Sequence, residues 1–459
     1  MKTEEYPDTA ITSRGIRPGS SEYDEARSVW NGMIDKRPAV ILRCRDAREV
    51  SSAIRYARDQ GLKFSVRGNG HNIAGSAVCD EGVVIDLSLM KEIRIDPVTR
   101  CADIGPGATL GDVDLATAAH GLALPVGINS TTGISGLTLG GGIGWLSRKY
   151  GLTIDNLVGA EVVTADGSVL RASEDENVDL FWALRGGGGN FGIVTSFEFR
   201  LHPVAEVFAG VIAFPGEEAA EVYRRYREES VRFPDEMTAW PVLRKAPPLP
   251  FLDEADHGRL VLLVPMCYSG DPSEGERFAR LIRSFGNPIG EHVGSQPLAT
   301  WQQAFDPLLT PGARNYWKSH NFTELSDGAL DTILDFGHRL PTGECEIFLG
   351  QLGGAVTRVS PDATAFRHRD TEWVLNVHCR WREPGDDERC IAWAREFHEA
   401  SAPFASAGAY SNFLPEDELD RAAHVFGGNH ARLAAIKTKY DPDNVFRNHL
   451  QIRPASSGS

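Results

Sequence analysis

An α+β fold is predicted for this chain of 459 residues, and three observations predict it. Residues 39–66 read as strand, helix, strand; from there to Phe199 short strands outnumber helices; and beyond His202-Pro203 long helices alternate with isolated strands, the pattern of a sheet faced by helices. The composition change at His202-Pro203 divides the chain into a first domain, residues 1–205, and a second that starts at 206.

In order along the chain, about 25 irregular residues precede Ala39-Val-Ile-Leu-Arg-Cys44, an expected strand. Asp46 to Asp59 carries apolar residues at helical spacing and Gly61 ends it, so this is a helix. Lys63 to Val66 begins the next strand. Short strands are expected at Gly82 to Leu87, Glu92 to Ile95 and Cys101 to Ile104, followed by a turn at Gly105-Pro-Gly107 and a helix from Leu110 to His120. Leu157 to Thr164 reads as a strand, Ala165-Asp-Gly167 as a hairpin turn, Asp179 to Leu184 as a helix and Phe191 to Phe199 as an alternating strand. Beyond the boundary, helices are expected at Glu217 to Phe233 and Ser273 to Phe285, and strands at Leu260 to Pro265, Glu346 to Leu352 and Trp373 to Trp381. Tyr410 and Asn412 are expected on one face of a strand. A last helix, Arg432 to Tyr440, stops before Pro442.

Composition narrows the function. A hydrophobic content of 42% supports sizeable cores, while a formal net charge of -16 repels phosphate backbones and anionic lipid headgroups. No nucleic-acid or membrane partner is expected; a small neutral or cationic molecule suits the charge better. The first residues, MKTEEYPDTAITSRG, lack the basic start and apolar core of a secretory signal, and no apolar run approaches the roughly 20 residues that span a bilayer. The seven cysteines are scattered with no C-x-x-C pair, against a disulfide scaffold or zinc site, so no metal is expected and a cytoplasmic, thiol-reduced protein, monomer or homodimer, is the expectation.

Two glycine-rich stretches carry the chemistry. Ser65-Val-Arg-Gly-Asn-Gly-His71-Asn72 is a glycine-interrupted turn after an apolar strand, and it sets one histidine on a loop that approaches a ligand closely. In Thr131-Thr-Gly-Ile-Ser-Gly-Leu-Thr-Leu-Gly-Gly-Gly-Ile-Gly144 half the residues are Gly or Ser, so backbone N–H groups can face a planar or phosphorylated ligand. Two such surfaces imply a large cofactor. Gly68 and Gly70 followed by Gly75 do not make the dinucleotide fingerprint, because the third glycine comes two residues late and no amphipathic helix follows. By position alone His71 is a hydrogen-bonding or metal-binding group, and Tyr150 a core tyrosine.

The runs SVRGNGHNIAG, TTGISGLTLGGGIGWLSRKYGLTIDN, LFWALRGGGGNFGIV and YDPDNVFRN, in this order over nearly the whole chain, resemble the FAD-linked oxidases of the vanillyl-alcohol oxidase superfamily. Within it they are most similar to the berberine bridge enzyme-like branch, in particular its bacterial members of the 6-hydroxy-D-nicotine oxidase kind. The resemblance implies a PCMH-type FAD-binding domain of two subdomains, a substrate domain over 206–425 with an antiparallel sheet flanked by helices, and a segment 426–459 that returns to the FAD domain.

It also implies roles. FAD is the cofactor, covalently bound at its 8α carbon to His71, whose neutral imidazole is a good nucleophile; the attached ring withdraws electrons and favours hydride acceptance. Relatives with a second, cysteinyl link carry it where this chain has Asn129, so a single attachment is expected. The implied cofactor contacts are Arg67, Gly68, Asn69, Gly70, Asn72, Gly107, Thr131, Thr132, Gly133, Ser135, Gly136, Gly142, Gly144, Val194 and His449, the last replacing an expected amide. Ile134 falls at a position that governs oxygen access, where good oxidases carry valine. Tyr150, Tyr410, Asn412 and Gln351 are the implied catalytic residues, with His378 completing the cavity and Glu346 a reserve base. The reaction implied is hydride transfer from a small organic substrate, an amine, alcohol or secondary metabolite, to flavin N5. Oxygen then reoxidises the flavin and gives hydrogen peroxide; a dehydrogenase using another acceptor and a flavin-binding protein without turnover are the alternatives.

Overall fold

The computed structural model describes residues 9–406, 408–447 and 450–455. Strands β1 (Val40–Arg43), β2 (Phe64–Arg67) and β3 (Val83–Asp86) form a parallel sheet in the order β1-β3-β2. The helix Ala47–Asp59 joins the first two. Asp46 caps it by accepting from the Glu49 N–H, and its buried Val50, Ala53, Ile54 and Ala57 pack on β1 and β3.

A second sheet of β4 (Ile93–Asp96), β5 (Cys101–Ile104), β6 (Leu157–Val163), β7 (Val169–Ser173) and β8 (Ile193–Arg200) is antiparallel, in the order β4-β5-β8-β6-β7. Its apolar face is covered by Leu110–Ala118, Val178–Leu184 and the C-terminal helix His430–Tyr440. Thr109 and Asp112 form a reciprocal cap at the start of the first of these.

The third sheet holds β9 (Glu206–Pro215), β10 (Met237–Ala239), β11 (Val242–Lys245), β12 (Leu260–Tyr268), β13 (Gly290–Pro297), β14 (Arg314–Phe322), β15 (Glu346–Gln351) and β16 (Trp373–Trp381). Its order is β13-β9-β12-β11-β15-β16-β14, with β10 also on β12, and every pairing is antiparallel. One face packs against the helices Ala219–Ser230, Gly275–Arg283, Asp327–His338 and Asp387–Ser401. The other faces the first two sheets. This is the expected α+β architecture with an antiparallel sheet flanked by helices.

Two local differences stand out. Tyr410 and Asn412 are not on a strand: Ser411–Phe413 is a single helical turn, because Ser411 Oγ donates to the Gly140 carbonyl and Asn412 Nδ2 to that of Leu137, contacts that replace a ladder. Cys345, Cys379 and Cys390, scattered in sequence, meet in the core with their sulfurs all within 4.8 Å. Cys345 lies one residue before β15, beside Cys379 on β16, and Cys390 comes from the helix packed on that face. No helix among the described residues is long and apolar enough to cross a membrane.

The C-terminal helix is tied to the Arg185–Asn190 glycine run by one buried cation. Lys437 Nζ donates to the Asn190 carbonyl at 2.7 Å, the Phe446 carbonyl at 2.7 Å and the Asp441 carboxylate at 2.5 Å. Asn190 in turn donates to Gly187 and Leu450 carbonyls. Replacing Lys437 with alanine strands Asp441 as a buried charge, so urea titration is expected to show a loss of about 3–5 kcal/mol in unfolding free energy.

Candidate active site

Between the first two sheets and the β11–β16 face of the third lies a cavity of about 350 Å³, partly open to solvent. Pockets for drug-sized ligands hold roughly 300–1000 Å³, and this one falls within that range. One wall is backbone: Gly68, Asn69, Gly70, His71, Gly133, Ser135, Gly136, Gly186 to Gly189 and Gly192. The opposite wall is aromatic and polar: Trp240, Trp317, Glu346, Phe348, Asn376 and His378. Gly70 has φ +74°, a left-handed turn that delivers His71 to the cavity.

The His71 ring stacks on Trp30 with centroids 5.1 Å apart. Its Nε2 is 2.9 Å from Thr131 Oγ1, and its Nδ1 is 3.4 Å from Thr132 Oγ1. Removal from solvent penalises the imidazolium and, against a contact with the Thr131 backbone, brings the pKa down to about 3. His71 is therefore neutral at any working pH.

Across the cavity, strand register builds a polar row. Arg244 on β11 lies opposite Glu346 on β15, Glu346 opposite His378 on β16, and His378 opposite Trp317 on β14. Side chains at directly opposed positions share a face, so all four meet. Arg244 Nη1 bonds Glu346 Oε2, and His378 Nδ1 lies 2.8 Å from Glu346 Oε1. Burial opposes ionisation of Glu346, but Arg244, His378 and Arg380 outweigh it and hold the pKa at about 2. An ionised Glu346 accepts the Nδ1–H of His378, so in the neutral imidazole the lone pair is on Nε2. That nitrogen is buried and has no partner among the described residues; nor has Asn376 Oδ1, two positions along the same face. Tyr410 closes the end of the cavity. Its hydroxyl accepts from the Gly142 N–H at 3.0 Å and from Asn412 Nδ2 at 3.0 Å, and burial pushes its pKa up to about 12. It is a neutral phenol whose own hydrogen remains to be donated.

Comparison with known proteins fits this geometry. A model of the FAD binding domain matches residues 38–173, and one described as berberine and berberine like matches 409–453. An FAD-linked oxidoreductase of Dictyostelium discoideum is 32% identical over 96% of this chain and 94% of its own. The (R)-6-hydroxynicotine oxidase of Paenarthrobacter nicotinovorans is 32% identical over 98% of both. The crystal structure of 6-hydroxy-D-nicotine oxidase from Arthrobacter nicotinovorans superposes with a TM-score of 0.85 at 30% identity, covering 96% of this chain and 98% of that one. The chain belongs to the berberine bridge enzyme-like FAD-linked oxidoreductases of the vanillyl-alcohol oxidase superfamily.

The residues present fit the FAD of this berberine bridge enzyme-like family. Asn69 Oδ1, on the His71 wall of the cavity, is a buried acceptor left without a partner among the described residues. Gly136 lines the cavity with nothing within 4 Å of where a Cβ would stand. Gly136→Leu is expected to fill that space and abolish flavin retention, read by the absorbance of purified protein. The fold should persist, since glycine is the poorer helix former at this helical position.

Of the residues expected at the FAD, Gly68, Asn69, Gly70, His71, Asn72, Thr132, Gly133, Ser135, Gly136 and Val194 line the cavity, as do Tyr410, Asn412 and Asn129. Others do not reach it. Arg67 is not among the lining residues, and its Nη1 bonds the Ala26 carbonyl in the helix Tyr23–Arg27. Gly107 packs its Cα against the Leu87 carbonyl and accepts from Asn69 Nδ2, so it positions Asn69. The N–H groups of Gly142 and Gly144 are spent on Tyr410 and on Ser147 Oγ. Thr131 touches His71 from outside the cavity wall. Tyr150 stacks on His202 at 3.8 Å, away from the cavity. Gln351 lies on the helix-facing side of β15, because only Glu346, Phe348 and Gly350 alternate toward the cavity, and its Nε2 bonds the Ser230 carbonyl. Ile134 is fully buried in the core of the second sheet and is not among the residues that line the cavity. His449 lies outside the described residues. Sequence reading missed Trp30, Trp317, Asn376 and Gly186 to Gly189; only the last had a visible signal, the run Arg185-Gly-Gly-Gly-Gly-Asn190. No cysteine is among the described residues that line the cavity.

Proposed function

We propose that this berberine bridge enzyme-like protein is an FAD-dependent oxidase with its flavin covalently held by His71. Its substrate is a small aromatic or heterocyclic amine or alcohol, and reoxidation by oxygen yields hydrogen peroxide. Residues 1–205 and 426–459 form the flavin-holding part and 206–425 the substrate part, a division supported by the Lys437 contacts to the Asn190 loop. The observation that carries the reading is the buried Glu346–His378 pair, whose free Nε2 faces the same cavity as His71.

Bound FAD supplies a two-electron acceptor for substrate hydride. The chain does the rest. Trp240, Trp317, Phe348 and Phe413 present an apolar aromatic wall that admits a flat ring and excludes water. His378 Nε2 takes the proton from the substrate N–H or O–H, and ionised Glu346 stabilises the imidazolium that results. Tyr410 donates its hydroxyl hydrogen and Asn376 accepts, which orients the substrate's polar edge.

Anaerobic mixing with a panel of aromatic amines and alcohols tests the reading: at least one bleaches the flavin band, and an inert yellow protein across the panel overturns it. Aerobic turnover should release one peroxide per substrate; dye reduction without peroxide overturns the oxidase assignment. Because the His71 pKa is lowered to about 3, its neutral form dominates from pH 8 to pH 5. Covalent attachment to apoprotein is therefore expected to proceed at nearly the same rate across that range. An imidazole titrating at its ordinary 6.5 would slow roughly thirtyfold at pH 5.

A further inference from the structure

We infer that Asn129 is a positioning residue for flavin attachment: acting through Thr131, it holds His71 as the Nε2–H tautomer and makes Nδ1 the nitrogen that bonds to the cofactor. This rests on the reading that His71 is the attachment site.

Hydrogen-bond donors that cannot reverse carry the argument. The backbone N–H of Thr131 lies 3.0 Å from Asn129 Oδ1, and a peptide N–H only donates, so the amide atom facing Thr131 is oxygen. The Thr131 hydroxyl lies 2.7 Å from that same oxygen. Two oxygens at this distance share a hydrogen, and an amide oxygen has none, so the hydroxyl donates. Its single hydrogen is then committed. Toward His71 Nε2, at 2.9 Å, Thr131 Oγ1 can only accept, so Nε2 carries the imidazole hydrogen and Nδ1 the lone pair. Among the described residues nothing competes strongly for that lone pair: Thr132 Oγ1, at 3.4 Å, is at the outer edge of hydrogen-bond reach. Trp30 stacking holds the ring plane. Asn129 is itself buried in the cavity wall, and the Thr132 N–H donates to its carbonyl at 3.1 Å, which pins the turn. Asparagine at this position thus has a task of its own beyond lacking a thiol.

The step balances as follows. The Nδ1 lone pair forms the bond to the 8α carbon, which loses one hydrogen as a proton, and the C–H electron pair passes to the ring system. The imidazole sheds the Nε2 hydrogen as a second proton on the Thr131 side. Dioxygen takes the two electrons and two protons and leaves as hydrogen peroxide, so one oxygen is consumed per attachment.

The test follows attachment directly. Full-length protein made under riboflavin depletion is mixed with FAD in air, and acid-insoluble flavin is measured with time, alongside total bound flavin before acid. Asn129→Ala and Thr131→Val are expected to slow attachment ten- to a hundredfold while still holding FAD reversibly, the range that loss of an orienting partner costs a metal-bound imidazole. Asn129→Asp, whose carboxylate accepts from the same two donors, should stay within about threefold of the parent. Magnetic resonance of the flavin peptide should place the link on Nδ1. Parental rates in Asn129→Ala and Thr131→Val, or a link on Nε2, overturn the inference. Should Asn129→Ala fail to fold, exposed Thr131→Val decides by the same criterion. If the parent itself binds FAD but forms no acid-insoluble flavin, the attachment reading beneath has failed, a result distinct from a parent that attaches and variants that match it.

Discussion

His71→Ala is expected to give a protein that binds FAD and loses all its colour on acid precipitation, while the parent keeps its colour in the washed pellet. The substitution removes one nucleophile from a wall that otherwise holds its ligand through backbone groups and buried polar atoms, so reversible binding survives. The loss is all-or-none because no cysteine is among the described residues lining the cavity, and Asn129 offers only an amide. The reductive half-reaction should slow as well, since an attached imidazole draws electron density from the ring and favours hydride acceptance. Stopped-flow reduction of the two proteins under anaerobic conditions measures it. Colour retained in the alanine variant after acid would remove His71 from the account.

His378→Ala is expected to lower kcat/KM by about 10²- to 10⁴-fold, the contribution of a positioned general base, with flavin content unchanged. Glu346→Gln should cost a similar factor by a different route. A glutamine amide can donate to His378 Nδ1, which moves the imidazole hydrogen to Nε2 and blocks proton uptake there. The two effects should not add in the double variant, because each disables the same nitrogen. Glu346→Gln also leaves Arg244 without its carboxylate, a buried cation whose isolation costs about 3–5 kcal/mol, so activity is to be compared with melting under the same conditions. The pH dependence has a definite sign. The folded pKa of Glu346 is about 2, below an unfolded value near 4.3, so its ionised form stabilises the fold above pH 4.3 and that contribution is lost as pH falls toward 2. Melting between pH 5 and pH 2 should therefore fall less steeply in Glu346→Gln. An undiminished kcat/KM in His378→Ala would remove the base assignment.

Much of the scaffold was legible because it is written in local spacing. The helix Ala47–Asp59, strands β5 and β16 and the helix Val178–Leu184 sit within a residue of where apolar periodicity and turn residues put them. Periodicity was less informative for Ala409–Phe413, where the alternation of side chains suggested a strand. Ser411 and Asn412 instead bond to the glycine segment, a partner hundreds of residues away that no window of sequence contains.

The sequence by itself determined the β-α-β start, the glycine-flanked loop that carries His71 and the family, since turn chemistry and motif order are properties of neighbouring residues. Only the tertiary structure decided which groups share the cavity. Period-two alternation tells that Glu346 and Gln351 lie on opposite faces, but which face meets the cavity depends on the register of β11, β15, β16 and β14, fixed by packing against helices far along the chain. The same is true of Tyr150, drawn onto His202, of Gly142 and Gly144, whose N–H groups are consumed within the protein, and of three cysteines that converge from separate elements. Hydrogen bonds and buried contacts are satisfied in space, and a linear pattern states what a residue can do without stating which neighbour it does it with.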